Sequence, residues 1–159
     1  MRALALLVFA GLIGCGSAPQ PAETAKAPEP AAKTPARPPR DLSRMLPPKG
    51  LVHSEVVPDH AAGISKLPGG TVGDYESGGK KYQIFITDEG ASQDAAFLLL
   101  DVKGVLKDPE YLASFGGYFG SDGTRPVFVF SKTEYVAGIV GLPKDAADAV
   151  ARVLASRIQ

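Results

Sequence analysis

PVFVF at residues 126–130, SKTE at 131–134 and YVAGIVGL at 135–142, closed by Pro143, is the stretch that decides the fold of this chain. Two runs rich in β-branched and aromatic residues flank four polar ones, the pattern of a β-hairpin. Val127 and Val129 alternate with Phe128 and Phe130, so one pair faces each side of the sheet. Pro143 then opens an amphipathic helix over about Lys144–Arg157, with Ala147, Val150, Val153, Leu154 and Ile158 on one face. Asp148 and Arg152, four apart, are spaced to pair on its solvent side.

Upstream, KYQIFIT at 81–87 is a strand in which Tyr82, Ile84 and Ile86 alternate with Lys81, Gln83 and Phe85. Residues 77–80 read as the hairpin turn leading into it, and Leu51–Val57 and Thr71–Glu76 as two earlier short strands. Ser92 is a fitting N-cap for a helix over about Gln93–Lys103, with Asp94 in its first turn and Gly104 as its stop. Ala96, Leu99 and Leu100 form the expected inward stripe, and Phe97 and Leu98 widen it enough to predict a largely covered helix. FGGYFG at 115–120 adds a glycine-rich strand segment before the turn at Ser121-Asp122-Gly123. The order predicts an α+β fold: a mainly antiparallel sheet of five to six strands with both helices on one face.

A strand ending in Thr87-Asp88-Glu89-Gly90, a helix opened by Ser92-Gln93-Asp94-Ala95-Ala96, aromatic hairpins and a terminal Ala-rich helix resemble a group of secreted bacterial proteins of unknown activity. The resemblance spans residues 81–158, implies a shared fold and carries no site residue.

The amino-terminal end has a different character. Arg2 precedes an uncharged apolar run, Ala3–Ile13, of 11 residues. A bilayer-spanning helix needs about 20 residues, whereas a signal-peptide core needs about 7 to 15. Leu12-Ile13-Gly14-Cys15 follows, and Cys15 is the only cysteine of the 159 residues. This tetrad resembles the lipobox of bacterial lipoproteins. The resemblance implies cleavage before Cys15, a thioether between its nucleophilic sulfur and a diacylglyceryl group, and attachment to a membrane through lipid on Cys15. Gly16 and Ser17, with no aspartate beside the cysteine, favour the outer over the inner membrane by the same comparison.

From Ser17 to Pro48 the chain is dominated by proline and alanine; residues 1–48 hold nine of the 14 prolines. Such a composition offers little to bury and is expected to act as a spacer. The expected organisation is therefore a signal peptide over 1–14, a lipidated cysteine and tether over 15–48, and one domain over 49–159. Residues 1–48 carry a charge of +3 and the remainder −3 within a formal net charge of zero. Neither part has the basic excess typical of a nucleic-acid binder.

Sequence signatures of catalysis are sparse. Gly73–Lys80 fails the phosphate-loop spacing at Asp74 and Lys81, and FGGYFG lacks the dinucleotide fingerprint. There is no Gly-x-Ser-x-Gly, and no cysteine remains after anchoring. His53 and His60, even with Asp59, Asp88 or Glu89, match no zinc spacing, so neither metal nor cofactor is expected. The candidate binding surface comprises Tyr118, Phe119, Phe128 and Phe130, which read either as a receiving surface or as core, with Asp122 and Arg125 in the adjacent loop as ligand contacts or turn formers. These features predict a non-catalytic envelope module that binds or supports another envelope protein. The alternative is an envelope hydrolase or transferase whose site is assembled only in space.

Overall fold

The periodic runs become one seven-stranded antiparallel sheet and two α-helices in the computed structural model, which describes residues 38–159. The elements are β1 (Leu51–Asp59), β2 (Pro68–Ser77), β3 (Lys80–Asp88), α1 (Ser92–Val105), β4 (Lys107–Leu112), β5 (Gly117–Ser121), β6 (Pro126–Lys132), β7 (Tyr135–Val140) and α2 (Lys144–Arg157). The spatial order is β1-β2-β3-β7-β6-β5-β4. Two meanders, β1–β3 and β4–β7, thus join where β3 pairs with β7, Ile84 opposite Ile139 and Ile86 opposite Ala137. The fold is α+β, with a seventh strand beyond the five to six expected. That strand is β4, KDPEYL, whose proline and charges conceal it in the sequence. Its edge position accommodates Pro109, since no further strand requires the missing N–H.

The β2–β3 turn forms because Gly78 and Gly79 both adopt positive φ, +58° and +74°, the conformation that a tight two-residue hairpin demands. Gly138 in β7 has a packing role. A Cβ there would lie 2.6 Å from Phe85 Cζ, so the glycine makes room for the Phe85 ring.

The expectation that both helices share one face is overturned. Val127, Val129, Val136, Val140 and Phe85 pack with Ala95, Leu99 and Val102 of α1. Phe128, Phe130, Ala137, Ile139, Ile84 and Ile86 pack with Ala147, Ala151 and Leu154 of α2. Both alternating sets of β6 are apolar, so both sides of the sheet must be covered, and one helix serves each. The loop after β1 extends the α1 layer, with Ala61, Ala62, Ile64 and Leu67 packed on Val72 and Phe85.

Two local expectations also shift. Ser92 is the first residue of α1 and makes no side-chain cap, Ala91 being the N-cap, and Gly104 lies inside the helix. The inward stripe is Ala95, Leu99 and Val102, whereas Ala96, Phe97 and Leu100 face solvent. A helix rich in apolar residues all round leaves its phase undetermined, and the sheet selects the face.

The compact unit also extends further upstream than Lys49. Residues Arg40–Pro47 run across the α2 side as a strap, with a single 3-10 turn at Ser43–Met45. Leu42 and Leu46 are buried beside Tyr75 and Leu154. The Leu42 N–H donates to Thr71 Oγ1 at 2.8 Å, and Tyr75 Oη donates to the Pro47 carbonyl at 2.8 Å. Arg157 of α2 donates to the Arg44 and Met45 carbonyls. Arg40 pairs with Asp88 at 2.7 Å. Residues 40–48 therefore belong to the domain and not to the tether. Among the described residues no helix is long and apolar enough to cross a membrane. The Leu12-Ile13-Gly14-Cys15 tetrad, with the signal peptide and lipidation expected from it, lies outside the described residues.

Candidate functional site

The four aromatics expected to form one surface are divided by the sheet. Phe128 and Phe130 are fully buried on the α2 side, where Phe115 meets Phe128 edge-on at 5.1 Å and Phe130 at 5.3 Å. They are core, so their place in the binding surface is corrected: the α2 helix covers the face that the alternation had left open. Phe119 is half-buried against the same cluster, 6.5 Å from Phe128. Tyr118 points the other way, half-buried on the α1 side, 5.6 Å from Tyr111 and beneath the Lys103 ammonium at 5.1 Å.

Asp122 and Arg125 do come together, but primarily on each other. Asp122 Oδ1 accepts the backbone N–H groups of Thr124 and Arg125 at 2.9 and 2.8 Å, and Oδ2 accepts Arg125 Nε at 2.9 Å. This closes the turn after β5 with the carboxylate chemistry that favours aspartate in turns. Burial by itself would raise the Asp122 carboxyl, but the Arg125 and Thr124 donors together outweigh it and hold it well below the usual carboxylate range.

Beyond the turn, Arg125 Nη2 donates to the Ala62 carbonyl at 2.9 Å and Nη1 to Gln83 Oε1 at 3.3 Å. Gln83 Nε2 in turn donates to Asp74 Oδ1 at 2.9 Å. A polar chain, Asp122–Arg125–Gln83–Asp74, thus links the β5–β6 turn to the middle of β3 and β2. It is the feature that sequence reasoning missed, because its bonded members Arg125 and Gln83 are 42 residues apart. Only the polar Gln83 within the otherwise apolar 82–86 run hinted at it.

This chain borders an open cleft of about 440 Å³ at the β2–β3 hairpin end, lined by Val52, Asp74, Glu76, Lys81, Gln83 and Arg125. The Tyr75 and Tyr82 rings stack at 5.1 Å and 17°. Burial, foremost, and the neighbouring Tyr82 raise the Tyr75 hydroxyl, so it stays a neutral donor. The cleft therefore presents side chains of both charges, Lys81 and Arg125 with Asp74 and Glu76, while the tyrosine rings are buried in the core on the α2 side. The Arg125 Nη1 contact, at the long end of hydrogen-bond distances, is the donor most readily redirected to a ligand oxygen.

His60 Nδ1 lies 3.1 Å from Asp59 Oδ2, both well exposed, and among the described residues no hydroxyl donates to His53 or His60. Among the described residues no three His, Cys, Asp or Glu side chains converge to hold a metal. Glu89 is raised by burial and has one buried oxygen, Oε1, without a partner, but it stands apart from the cleft at the opposite end of β3.

The Asp122 turn yields a pH prediction. A carboxyl whose folded pKa is depressed stabilises the fold above its unfolded value, near 3.8, and loses that contribution as pH falls through the folded value. The stability deficit of Asp122→Ala relative to the parent is expected to be full at neutral pH and to shrink below about pH 4. Urea unfolding of both proteins from pH 7 to pH 2.5 measures it; a deficit that does not shrink with acid would contradict the role given to this carboxylate.

Comparison with known proteins finds no matching family model, no similar curated protein and no similar solved structure.

Proposed function

We propose that this chain is a lipid-anchored, non-catalytic binding module of the bacterial cell envelope, attached through Cys15 and offering the β2–β3 cleft to an envelope partner. The Leu12-Ile13-Gly14-Cys15 tetrad supports the anchor. The single observation that carries the binding role is the cleft itself, where Lys81 and Arg125 stand with Asp74, Glu76 and Gln83. Such a surface suits a polar, mixed-charge segment of a protein more than an apolar small molecule. Asp74, Gln83 and Arg125 hold one another in place, a preorganised polar row suited to recognition.

Cys15→Ser is expected to abolish lipidation and leave uncleaved or released protein, because oxygen does not replace the thiolate in thioether formation. Membrane fractionation with intact mass measurement tests it, and a serine variant that still fractionates as a lipidated mature protein would defeat the anchor. For the cleft, a photoreactive residue at exposed Lys81 should cross-link a partner in intact cells, whereas one at exposed Arg152 on α2 should not. Equal cross-linking from both sites, or none from Lys81, would remove the cleft as the binding surface.

A further inference from the structure

Helix α1 is packed on one side and on the other carries large apolar side chains among the exposed Asp94, Asp101 and Lys103. Ala95, Leu99 and Val102 are at most 5% exposed, while Phe97 is 57% and Leu100 52% exposed. By contrast α2 turns mainly charged and small residues outward, with Val153 its one large apolar exception. The bare stripe of α1 continues across the same side of the sheet. Lys103 reaches over the Tyr118 ring, and Tyr118 packs on Tyr111, which is 59% exposed. Exposed Phe97, Leu100 and Tyr111, with Lys103 on its long aliphatic stem between them, are the kind of side chains that lie in a lipid headgroup region.

We infer that this face of α1 rests on the membrane to which Cys15 is attached, an inference that rests on the lipid-anchor reading above. The chain itself argues for a lipid occupant. Cys15 and Arg40 are 25 residue steps apart, so the domain can stand no further than about 90 Å from the lipid, even fully extended. Arg40 is pinned to Asp88, the last residue of β3, only four positions before α1 begins at Ser92. The connection to the anchor thus enters the domain at the end of the sheet from which α1 departs, before the strap turns across the α2 side. Attachment through one chain makes docking intramolecular, with an effective concentration on the order of mM, so a modest apolar face suffices. As a helix, α1 satisfies its own backbone hydrogen bonds and can meet lipid without exposing unpaired groups.

The test uses the chain from Cys15 onward, coupled through that sole cysteine to a maleimide lipid in phosphatidylethanolamine/phosphatidylglycerol vesicles. The protein has no tryptophan, so Phe97→Trp and Val153→Trp each introduce a single reporter at an exposed position, on opposite sides of the sheet. The emission at position 97 is expected to shift to the blue and to be quenched several-fold more by brominated acyl chains than that at 153. Phe97→Asp combined with Leu100→Asp, in the chain carrying Val153→Trp, should leave the spectrum at 153 unchanged while increasing protease access to α1. Equal quenching at 97 and 153, or none at 97, would overturn the inference. So would an unquenched position 97 in a chain that forms a dimer abolished by the two aspartates, since the face would then belong to a second copy. Chemical coupling separates this result from natural lipidation: failure of the anchor reading alone would appear as an unmodified Cys15 in the intact mass of the cellular protein.

Discussion

Replacing Phe128 with alanine is expected to lower the unfolding free energy by about 3 to 5 kcal/mol, the cost of emptying a large site in a packed core. The ring is fully buried in the middle of β6. Phe115 stands edge-on to it at 5.1 Å and 88°, Phe130 at 6.3 Å and 82°, and Phe119 at 6.5 Å. Collapse around the vacancy is restrained by the strands on either side, which pair Phe128 with Phe119 on β5 and Ile139 on β7. A loss of that size is a large fraction of the roughly 5 to 15 kcal/mol available to a domain. Phe119→Ala, whose ring is half-buried, should cost distinctly less. Urea denaturation of both variants, with thermal melting as a second probe, measures the difference. A Phe128→Ala protein within about 1 kcal/mol of the parent would mean that the ring is not held as described.

The same strand shows which parts of the fold can be read locally. Alternation of valine and phenylalanine from 127 to 130 reveals a strand with two apolar faces, and the polar Ser131–Glu134 segment reveals its turn. Which helix covers which face is not local information. It depends on α1 crossing one side of the sheet from β3 to the far edge at β4, and on α2 returning along the other from β7. The phase of α1 was hidden for a related reason: with Ala95, Ala96, Phe97, Leu98, Leu99 and Leu100 in succession, only packing distinguishes the covered residues from the bare ones. At the candidate site, the Asp122–Arg125 pair is visible as a three-residue spacing, but its continuation to Gln83 arises only when the β5–β6 turn folds beside β3, 42 residues away. The strap escaped because composition was averaged over residues 17–48. Within that span Leu42, Met45 and Leu46 form a small apolar group that departs from the Pro/Ala background.

Removing the strap is accordingly expected to be the most damaging truncation: a fragment of residues 49–159 should unfold without a cooperative transition, whereas 38–159 should melt cooperatively. Leu42 and Leu46 are 8% and 2% exposed, and burying a leucine side chain contributes about 1.5 to 3 kcal/mol. Loss of the Pro47 carbonyl also leaves the hydroxyl of Tyr75 without its acceptor in a core position, at a cost of about 1 to 3 kcal/mol. Together these amount to about 5 kcal/mol or more, comparable with the whole stability of a small domain. Thr71 Oγ1 loses both its contacts to the strap, at the Leu42 N–H and the Arg40 carbonyl, and Arg157 loses its two carbonyl acceptors. Leu42→Ala with Leu46→Ala in the longer protein keeps the backbone contacts and should fall between the two, separating the apolar contribution from the polar one. Calorimetry and circular dichroism on the three proteins provide the comparison. A cooperative transition for 49–159 within a few degrees of that for 38–159 would show that the strap lies on the domain without stabilising it, because a loss of even 1 kcal/mol shifts the melting temperature of a domain of this size by several degrees.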